Sequence, residues 1–175
     1  MKALIPALLC LGIFGCELPL NCDADSVWRD TANELCWQRT PSSDSMCQQE
    51  AIDYCRSLKL GGESDWRLPS IGQLRSLIQG CAGNERGGSC EIDGDDKSGE
   101  CPECEAREGP GEDGCYWNTA LDGSCSTQYW SLTDSWCVDF SVGGILDLGW
   151  DYGPDSDEPG WEVQICGPRA RCVRD

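Results

Sequence analysis

The stretch that decides the fold is DWRLPSIGQL, residues 65–74. Its first half is extended, because Pro69 disfavours the helical conformation at the residue before it. Ser70 then begins a helix, since a serine followed three positions later by Gln73 forms a capping box. An apolar stripe at helical spacing continues towards Gly80, which suits a C-cap; its members are Ile71, Leu74, Leu77 and Ile78. The stretch therefore predicts an extended segment that leads directly into an amphipathic helix.

Two further elements precede this stretch. Residues 26–30 (SVWRD) and 34–39 (ELCWQR) read as two short strands, and the second alternates apolar and polar positions. A first helix is predicted to begin at Asp44 or Ser45 and to end before Gly61. Its apolar face carries Cys47, Ala51, Tyr54, Cys55 and Leu58.

After the second helix the composition changes. The segment from Gly83 to Gly114 has almost no large apolar residue and many acids, so we expect a long surface loop held by cysteines. Strand-like segments return at residues 115–118, 128–133, 135–142, 145–148 and 161–166, with a final strand at 170–174. Two helices followed by many short strands predict an α+β fold, with the helices packed on a largely antiparallel sheet.

The overall composition restricts the classes of function. The chain has 31 acidic and 13 basic residues, a net charge of −18, and no histidine. Nucleic acid is not expected as a partner, because its binding depends on Lys and Arg that neutralise phosphates. Without histidine there is neither a Ser-His-Asp triad nor a histidine-ligated zinc. No pair of carboxylates is placed across a cleft by the sequence, so we expect no enzyme.

The N-terminal segment predicts export. Residues 1–15 (MKALIPALLCLGIFG) contain one lysine and an apolar run of roughly 20 Å as a helix, short of the ~30 Å hydrocarbon core. They read as a signal peptide. The end of this segment and Cys16 resemble the lipobox of bacterial lipoproteins, in which that cysteine is acylated. We therefore expect residues 16–24 to be a lipidated tether to the bacterial outer membrane or cell surface. An ordinary signal peptide that releases a free protein is the alternative.

The fifteen cysteines indicate an oxidising compartment and a disulfide framework. Thirteen remain once Cys10 leaves with the signal and Cys16 takes lipid, which allows six bridges and one unpaired thiol. The motif Cys101-Pro-Glu-Cys104 is also found in redox and zinc sites. Its glutamates disfavour a reactive thiolate, so structural bridges are the preferred interpretation. A zinc site that also uses Cys90 and Cys115 is the alternative.

Two groups of residues are candidates for ligand binding. The first is an acidic, glycine-containing loop whose oxygen ligands suit Ca²⁺: Asp93, Asp95, Asp96 and Glu100. A solvated acidic loop is the alternative, and a weaker acidic cluster follows at residues 151–158. The second group is Trp150 and Trp161, which bracket that later cluster and could stack on a sugar ring. Trp66 and Trp130 are interpreted as core residues instead.

Several segments together resemble one family. They are residues 30–39 (DxxxxLxWQR), 51–62 (AxxYCxxLxLGG), 65–77 (DWRLPSxxQLxxL), 129–131 (YWS) and 171–174 (RCVR). In this order they resemble the Lcl C-terminal domain family of bacterial extracytoplasmic domains. The resemblance covers residues 25–175 and implies a C-type-lectin-like fold. The acidic, cysteine-rich segment 81–125 departs from the family pattern.

The resemblance also implies specific bridges and a role. It implies that Cys55 in the first helix pairs with Cys172 in the last strand, and Cys22 is expected to pair with Cys36 across the first hairpin. The family's namesake is associated with sulfated polysaccharides, which a chain at −18 should repel. We therefore expect a non-enzymatic module that binds a carbohydrate or a protein at the cell envelope. A structural envelope protein is the alternative, and a cysteine- or metal-dependent enzyme is a remote one.

Overall fold

The computed structural model describes residues 21–93, 96–98, 101–133, 135–148 and 166–175. In these ranges the helices are α1 (Gln48–Ser57) and α2 (Ile71–Arg75). The strands are β1 (Val27–Asp30), β2 (Leu35–Gln38), β3 (Glu91–Asp93), β4 (Asp96–Ser98), β5 (Tyr129–Trp130), β6 (Trp136–Asp139), β7 (Gly144–Asp147) and β8 (Val173–Arg174). The predicted α+β class is confirmed: the domain combines two helices with antiparallel sheets and several disulfides.

Two three-stranded antiparallel sheets organise the domain. The first has the order β1-β2-β8, so the last strand of the chain pairs with the N-terminal hairpin. The second has the order β5-β6-β7. A parallel bridge between Tyr129 and Arg169 connects β5 to the segment that leads into β8. Strands far apart in sequence therefore meet, which couples the two ends of the chain.

Both helices form in the regions that the sequence predicts, but the ends of the helices differ from the prediction. Ser70 Oγ accepts a hydrogen bond from the Gln73 backbone N–H at 3.2 Å, and Gln73 Oε1 accepts from the Ser70 N–H at 3.1 Å, which confirms the capping box. The helix ends at Arg75 rather than near Gly80. Beyond it the Gln79 N–H donates to Tyr116 O at 3.1 Å, so a tertiary contact replaces the helical one.

The first helix begins later than predicted. Its N-cap is Cys47, whose N–H donates to Glu50 Oε2 at 2.9 Å, and not Asp44 or Ser45. The Met46 N–H donates to Pro168 O at 3.0 Å, which places the preceding segment beside the C-terminal chain instead of in the helix.

The strand predictions hold for the two sheets and are wrong in the cysteine-rich region, while the strand predicted at residues 161–166 lies almost wholly outside the described residues. Residues 115–118 form no strand, although Tyr116 and Trp117 are buried. The acidic segment, predicted to be loop throughout, contains the hairpin β3-β4. Its Cys90 is fully buried, because disulfides and not apolar side chains bring this segment to the core.

Six disulfides join the cysteines of the described residues: Cys22–Cys36, Cys47–Cys166, Cys55–Cys172, Cys81–Cys104, Cys90–Cys101 and Cys115–Cys125. Two of them, Cys22–Cys36 and Cys55–Cys172, are the pairs named from the sequence. Two others hold the acidic segment: Cys90–Cys101 closes it on itself, and Cys81–Cys104 ties it to the chain that follows α2. Cys115–Cys125 closes the loop between the acidic segment and β5. This framework restrains a chain that has few large apolar residues in that segment.

The core contains two clusters of buried side chains. The larger one includes Trp117, Tyr129 and Phe140, whose ring centroids lie 5.1–5.6 Å apart in edge-on and tilted arrangements. Such pairs contribute roughly 0.5–1.5 kcal/mol each beyond the area that they bury. The smaller cluster includes Trp66 and Trp130, so both are core residues as predicted.

Candidate functional site

An open cleft of about 740 Å³ lies between the β1–β2 turn, helix α2 and the acidic segment. The turn contributes Asn33 and Glu34, the helix contributes Gly72 and Arg75, and the acidic segment contributes Arg86. Three parts of the chain that are distant in sequence therefore line one concave surface.

The β1–β2 turn is held by a buried carboxylate. Asp30 Oδ1 accepts the backbone N–H groups of Ala32 and Asn33 at 3.1 and 3.3 Å, and Asp30 Oδ2 accepts Asn33 Nδ2 at 2.7 Å. An aspartate that satisfies the turn in this way fixes the backbone that follows it. Because its amide nitrogen is bonded, Asn33 turns its Oδ1 towards Arg86 Nη1, 2.6 Å away.

Arg75 connects helix α2 to the acidic segment. Its Nε donates to Asn84 O at 2.9 Å and its Nη2 donates to Glu85 O at 2.7 Å. Burial lowers the pKa of this guanidinium, and the charge of Glu91 acts in the opposite direction. Arg75 is thus held rigidly in the cleft wall.

Asn84 secures the other end of this connection. The residue is fully buried, and its Nδ2 donates to Pro102 O at 2.7 Å and to Gly143 O at 2.8 Å. The loop that carries Arg86 is therefore tied both to the helix and to the β6–β7 turn.

The cleft offers hydrogen-bond donors and positive charge. Its described lining contains the guanidinium groups of Arg75 and Arg86, one carboxylate (Glu34), and the hydroxyl and amide groups of Ser70, Gln73 and Ser76. In that lining no nucleophile is paired with a base. The arrangement suits the binding of a polar ligand.

Most site residues predicted from the sequence lie outside the described residues. This holds for the lipidation site Cys16, for the calcium candidates Asp95 and Glu100 and the side chains of Asp93 and Asp96, and for Trp150 and Trp161. Calcium, the lipid anchor and the tryptophan platform stay predictions. In the part of the chain that the structure describes, no group of three or more His, Cys, Asp or Glu side chains could hold a metal ion.

The Cys101–Cys104 motif is neither a redox pair nor a zinc site. Cys101 pairs with Cys90, and Cys104 pairs with Cys81. Cys115, the other proposed zinc ligand, pairs with Cys125. The alternative zinc site is therefore wrong, because all four sulfurs are already in disulfides.

Cys137 is the cysteine of the described residues that forms no disulfide, and we predict that it is unreactive in the folded protein. Burial raises the pKa of its thiol from 9.0 to about 12, and the charges of Asp139 and Asp147 act in the same direction. We expect unfolding in guanidinium, without reductant, to expose one additional thiol to Ellman's reagent. Reaction of Cys137 in the folded protein at pH 8 would contradict the prediction.

The raised pKa of Cys137 also predicts how the stability of the folded protein changes with pH. The unfolded chain loses this proton near pH 9.0, whereas the folded protein keeps it to about pH 12. The stabilising contribution is complete below pH 9 and is lost as the pH rises towards 12. Between pH 8.5 and 10, Cys137→Ala should therefore lose less stability than the unchanged protein.

The motifs DWRLP and RCVR pack against each other. Their charged side chains do not line the cleft. Arg174 binds both carboxylate oxygens of Asp65, at 2.7 and 3.1 Å. Arg67 exchanges two backbone hydrogen bonds with Val173, each 2.9 Å, and its guanidinium binds Asp175 at 2.8 Å. These two motifs therefore reflect the packing of the segment before α2 against the last strand, β8.

A comparison with protein families identifies the family of the chain. The model of the Lcl C-terminal domain matches residues 26–151, well over half of the chain. The chain belongs to the Lcl C-terminal domain family. The Lcl match includes the β1–β2 hairpin, both helices and the second sheet, and ends before the RCVR segment.

Beyond the Lcl family model, no similar protein was found among curated proteins or among solved structures. In the described ranges, no helix is both long enough and apolar enough to cross a membrane.

Sequence reasoning on the Lcl domain missed the cleft itself. Two signals point to it in retrospect. Asp30 followed three residues later by Asn33 is typical of a turn stabilised by its own side chains. Arg75 lies next to Leu74 and four residues after Ile71, on the apolar face of α2, where a charged side chain needs a specific partner.

Proposed function

We propose that this Lcl-family protein is an exported, lipid-anchored module that binds a carbohydrate or a protein at the cell envelope without catalysis. The observation that carries the proposal is the open cleft between the β1–β2 turn, α2 and the acidic segment. Its lining of guanidinium, amide and hydroxyl groups supplies directional hydrogen bonds. Polyhydroxylated ligands match this chemistry better than apolar ones do.

The supports for export are the six disulfides, which persist in oxidising compartments, and the signal-peptide pattern of residues 1–15. Acylation of Cys16 would keep the domain at the membrane surface, because each buried methylene of an acyl chain adds about 0.8 kcal/mol. Residues between Cys16 and the first strand would then act as the tether.

We also propose a C-type-lectin-like arrangement. Three features support it: the last strand pairs with the N-terminal hairpin, Cys55 of α1 is bonded to Cys172 beside that strand, and a long disulfide-held segment precedes the second sheet. In such folds the long loop region bears the ligand, and here that segment forms one wall of the cleft.

A substitution at Gly72 tests whether the cleft is the binding site. Gly72 is exposed, lines the cleft, and has no atom within 4 Å of the position that a Cβ would take. We expect Gly72→Trp to fill the cleft without straining the helix and to reduce binding at least tenfold. The measurement is binding of the purified, non-reduced protein to a glycan array and to envelope proteins.

Gly167→Trp is the matched control. Gly167 also has no atom within 4 Å of a built Cβ, and it does not line the cleft. Binding that is equally reduced by both variants, or by neither, would argue against the cleft as the site. A chain with no binding to glycan or protein would support a structural role in the envelope instead.

A further inference from the structure

The described lining of the cleft carries a charge opposite to that of the whole chain. The whole chain carries −18, yet the described cleft lining contains two arginines and one glutamate. Arg75 and Arg86 are two of only thirteen basic residues. A local positive site in an acidic protein attracts small anions and leaves long polyanions repelled by the surroundings.

The two guanidinium groups are held in place by neutral oxygens. Arg75 donates to two backbone carbonyls, those of Asn84 and Glu85, and Arg86 donates to the side-chain amide oxygen of Asn33. Neither arginine forms a salt bridge with another described residue. The contacts orient both groups, while their charge is not neutralised by a bonded carboxylate among those residues.

Of the two arginines, Arg86 is the more accessible to a ligand. Its side chain is exposed, and among the described residues its guanidinium bonds through Nη1 to Asn33 Oδ1 at 2.6 Å. A planar guanidinium fixed at one nitrogen can still offer its other nitrogens to a carboxylate in the two-point geometry that arginine favours.

The remaining lining suits a hydroxylated ring. Gln73 Oε1 accepts hydrogen bonds from Arg67 and Ser70, which leaves its amide nitrogen directed to other acceptors. Ile92 and Leu35 add a small apolar area beside these groups. An apolar peptide side chain would find little surface to bury here, whereas a sugar would find alternating polar and apolar contacts.

We propose that the cleft binds a saccharide that carries a carboxylate, a short uronic acid, with Arg86 paired to the carboxylate and the amide and hydroxyl groups bound to the ring. This proposal rests on the proposed function and names its ligand class. Arg75 contributes fixed positive charge at the cleft wall. Asn33 is a positioning residue, because it acts on the ligand through Arg86.

The test uses digalacturonate and its dimethyl ester, in which each carboxylate is converted to a neutral methyl ester. We expect isothermal titration with the native protein to show at least tenfold weaker binding of the ester. Arg86→Gln should weaken digalacturonate binding at least tenfold and leave ester binding within twofold. Arg56→Gln is the matched control, since Arg56 is exposed on α1 and does not line the cleft.

Equal affinity for acid and ester, an unaffected Arg86→Gln variant, or no saturable binding of digalacturonate would each overturn this inference. The failure of this inference can be distinguished from the failure of the proposed function. If the glycan array shows binding that Gly72→Trp removes and that does not depend on carboxylates, the cleft remains the site and only the ligand class is wrong. If Gly72→Trp changes no binding, the cleft is not the site and both proposals fall.

Discussion

Replacing Cys47, Cys55, Cys166 and Cys172 together by alanine is expected to lower the free energy of unfolding by about 5 kcal/mol or more in the chain-entropy model. The bridges Cys47–Cys166 and Cys55–Cys172 span 119 and 117 positions, so they close nearly the same long loop, and either one alone keeps that loop closed in the unfolded chain. Cross-linking such distant residues restricts the unfolded chain over most of its length. Because domains are stable by only about 5–15 kcal/mol, this variant should be partly or fully unfolded near 37 °C.

Removal of the Cys55–Cys172 bridge alone is the control. While Cys47–Cys166 remains, replacing Cys55 and Cys172 by alanine opens only the short ring made of residues 47–55 and 166–172. This variant should cost about 3 kcal/mol. Denaturant unfolding without reductant measures both values. A loss for this control as large as the loss for both bridges would contradict the view that the long bridges act on the unfolded chain.

Replacing Arg171 by methionine is expected to lower the free energy of unfolding by about 3 kcal/mol or more. Arg171 is fully buried, and burial lowers the pKa of its guanidinium to about 10, so it is still charged at neutral pH. It donates to the backbone carbonyls of Gln38, Arg39 and Asp122. Methionine preserves the apolar stem but leaves these carbonyls without their donor.

The Arg171→Met variant also loses the contacts of the guanidinium with two aromatic rings, which lowers its stability further. The guanidinium carbon lies 4.7 Å from the ring centroid of Trp117 and 5.5 Å from that of Tyr129. A desolvated cation over an aromatic face contributes about 2 kcal/mol. Arg171→Lys keeps the charge but a single ammonium cannot replace a planar fork, so we expect an intermediate loss.

Urea unfolding of the two variants and of Arg56→Met measures the effect. Arg56 is exposed on α1, and its replacement should change stability by no more than about 0.5 kcal/mol. If Arg171→Met were as stable as the unchanged protein, the side chain would contribute by packing alone, and the role of its hydrogen bonds would be disproved.

Local signals in the sequence were enough to predict the β1-β2 hairpin and the start of α2. The capping box at Ser70 and Gln73 and the strand pair β1-β2 depend on neighbours within a few positions, so they could be read directly. The α+β class and the Lcl family followed from the order of such segments.

Predictions failed where contacts between distant residues override local preference. Helix α2 ends at Arg75 because Gln79 bonds to Tyr116 in the cysteine-rich segment. Residues 115–117 are buried without forming a strand, since Cys115 is bonded to Cys125 and Trp117 packs on Tyr129. No periodic pattern in the sequence indicates that these distant residues are in contact.

The sequence by itself determined both helices, the strands of the two three-stranded sheets, the family, and the need for a disulfide framework, because capping, hydrophobic alternation and cysteine count are properties of neighbouring residues and of composition. Only the tertiary structure decided how the other eight bridged cysteines pair and that Asn33, Arg75 and Arg86 share one cleft. Those residues lie in three separate segments, and the packing of α2 against the disulfide-held loop brings them together. Proximity of this kind depends on the path of the whole chain and leaves no local pattern to read.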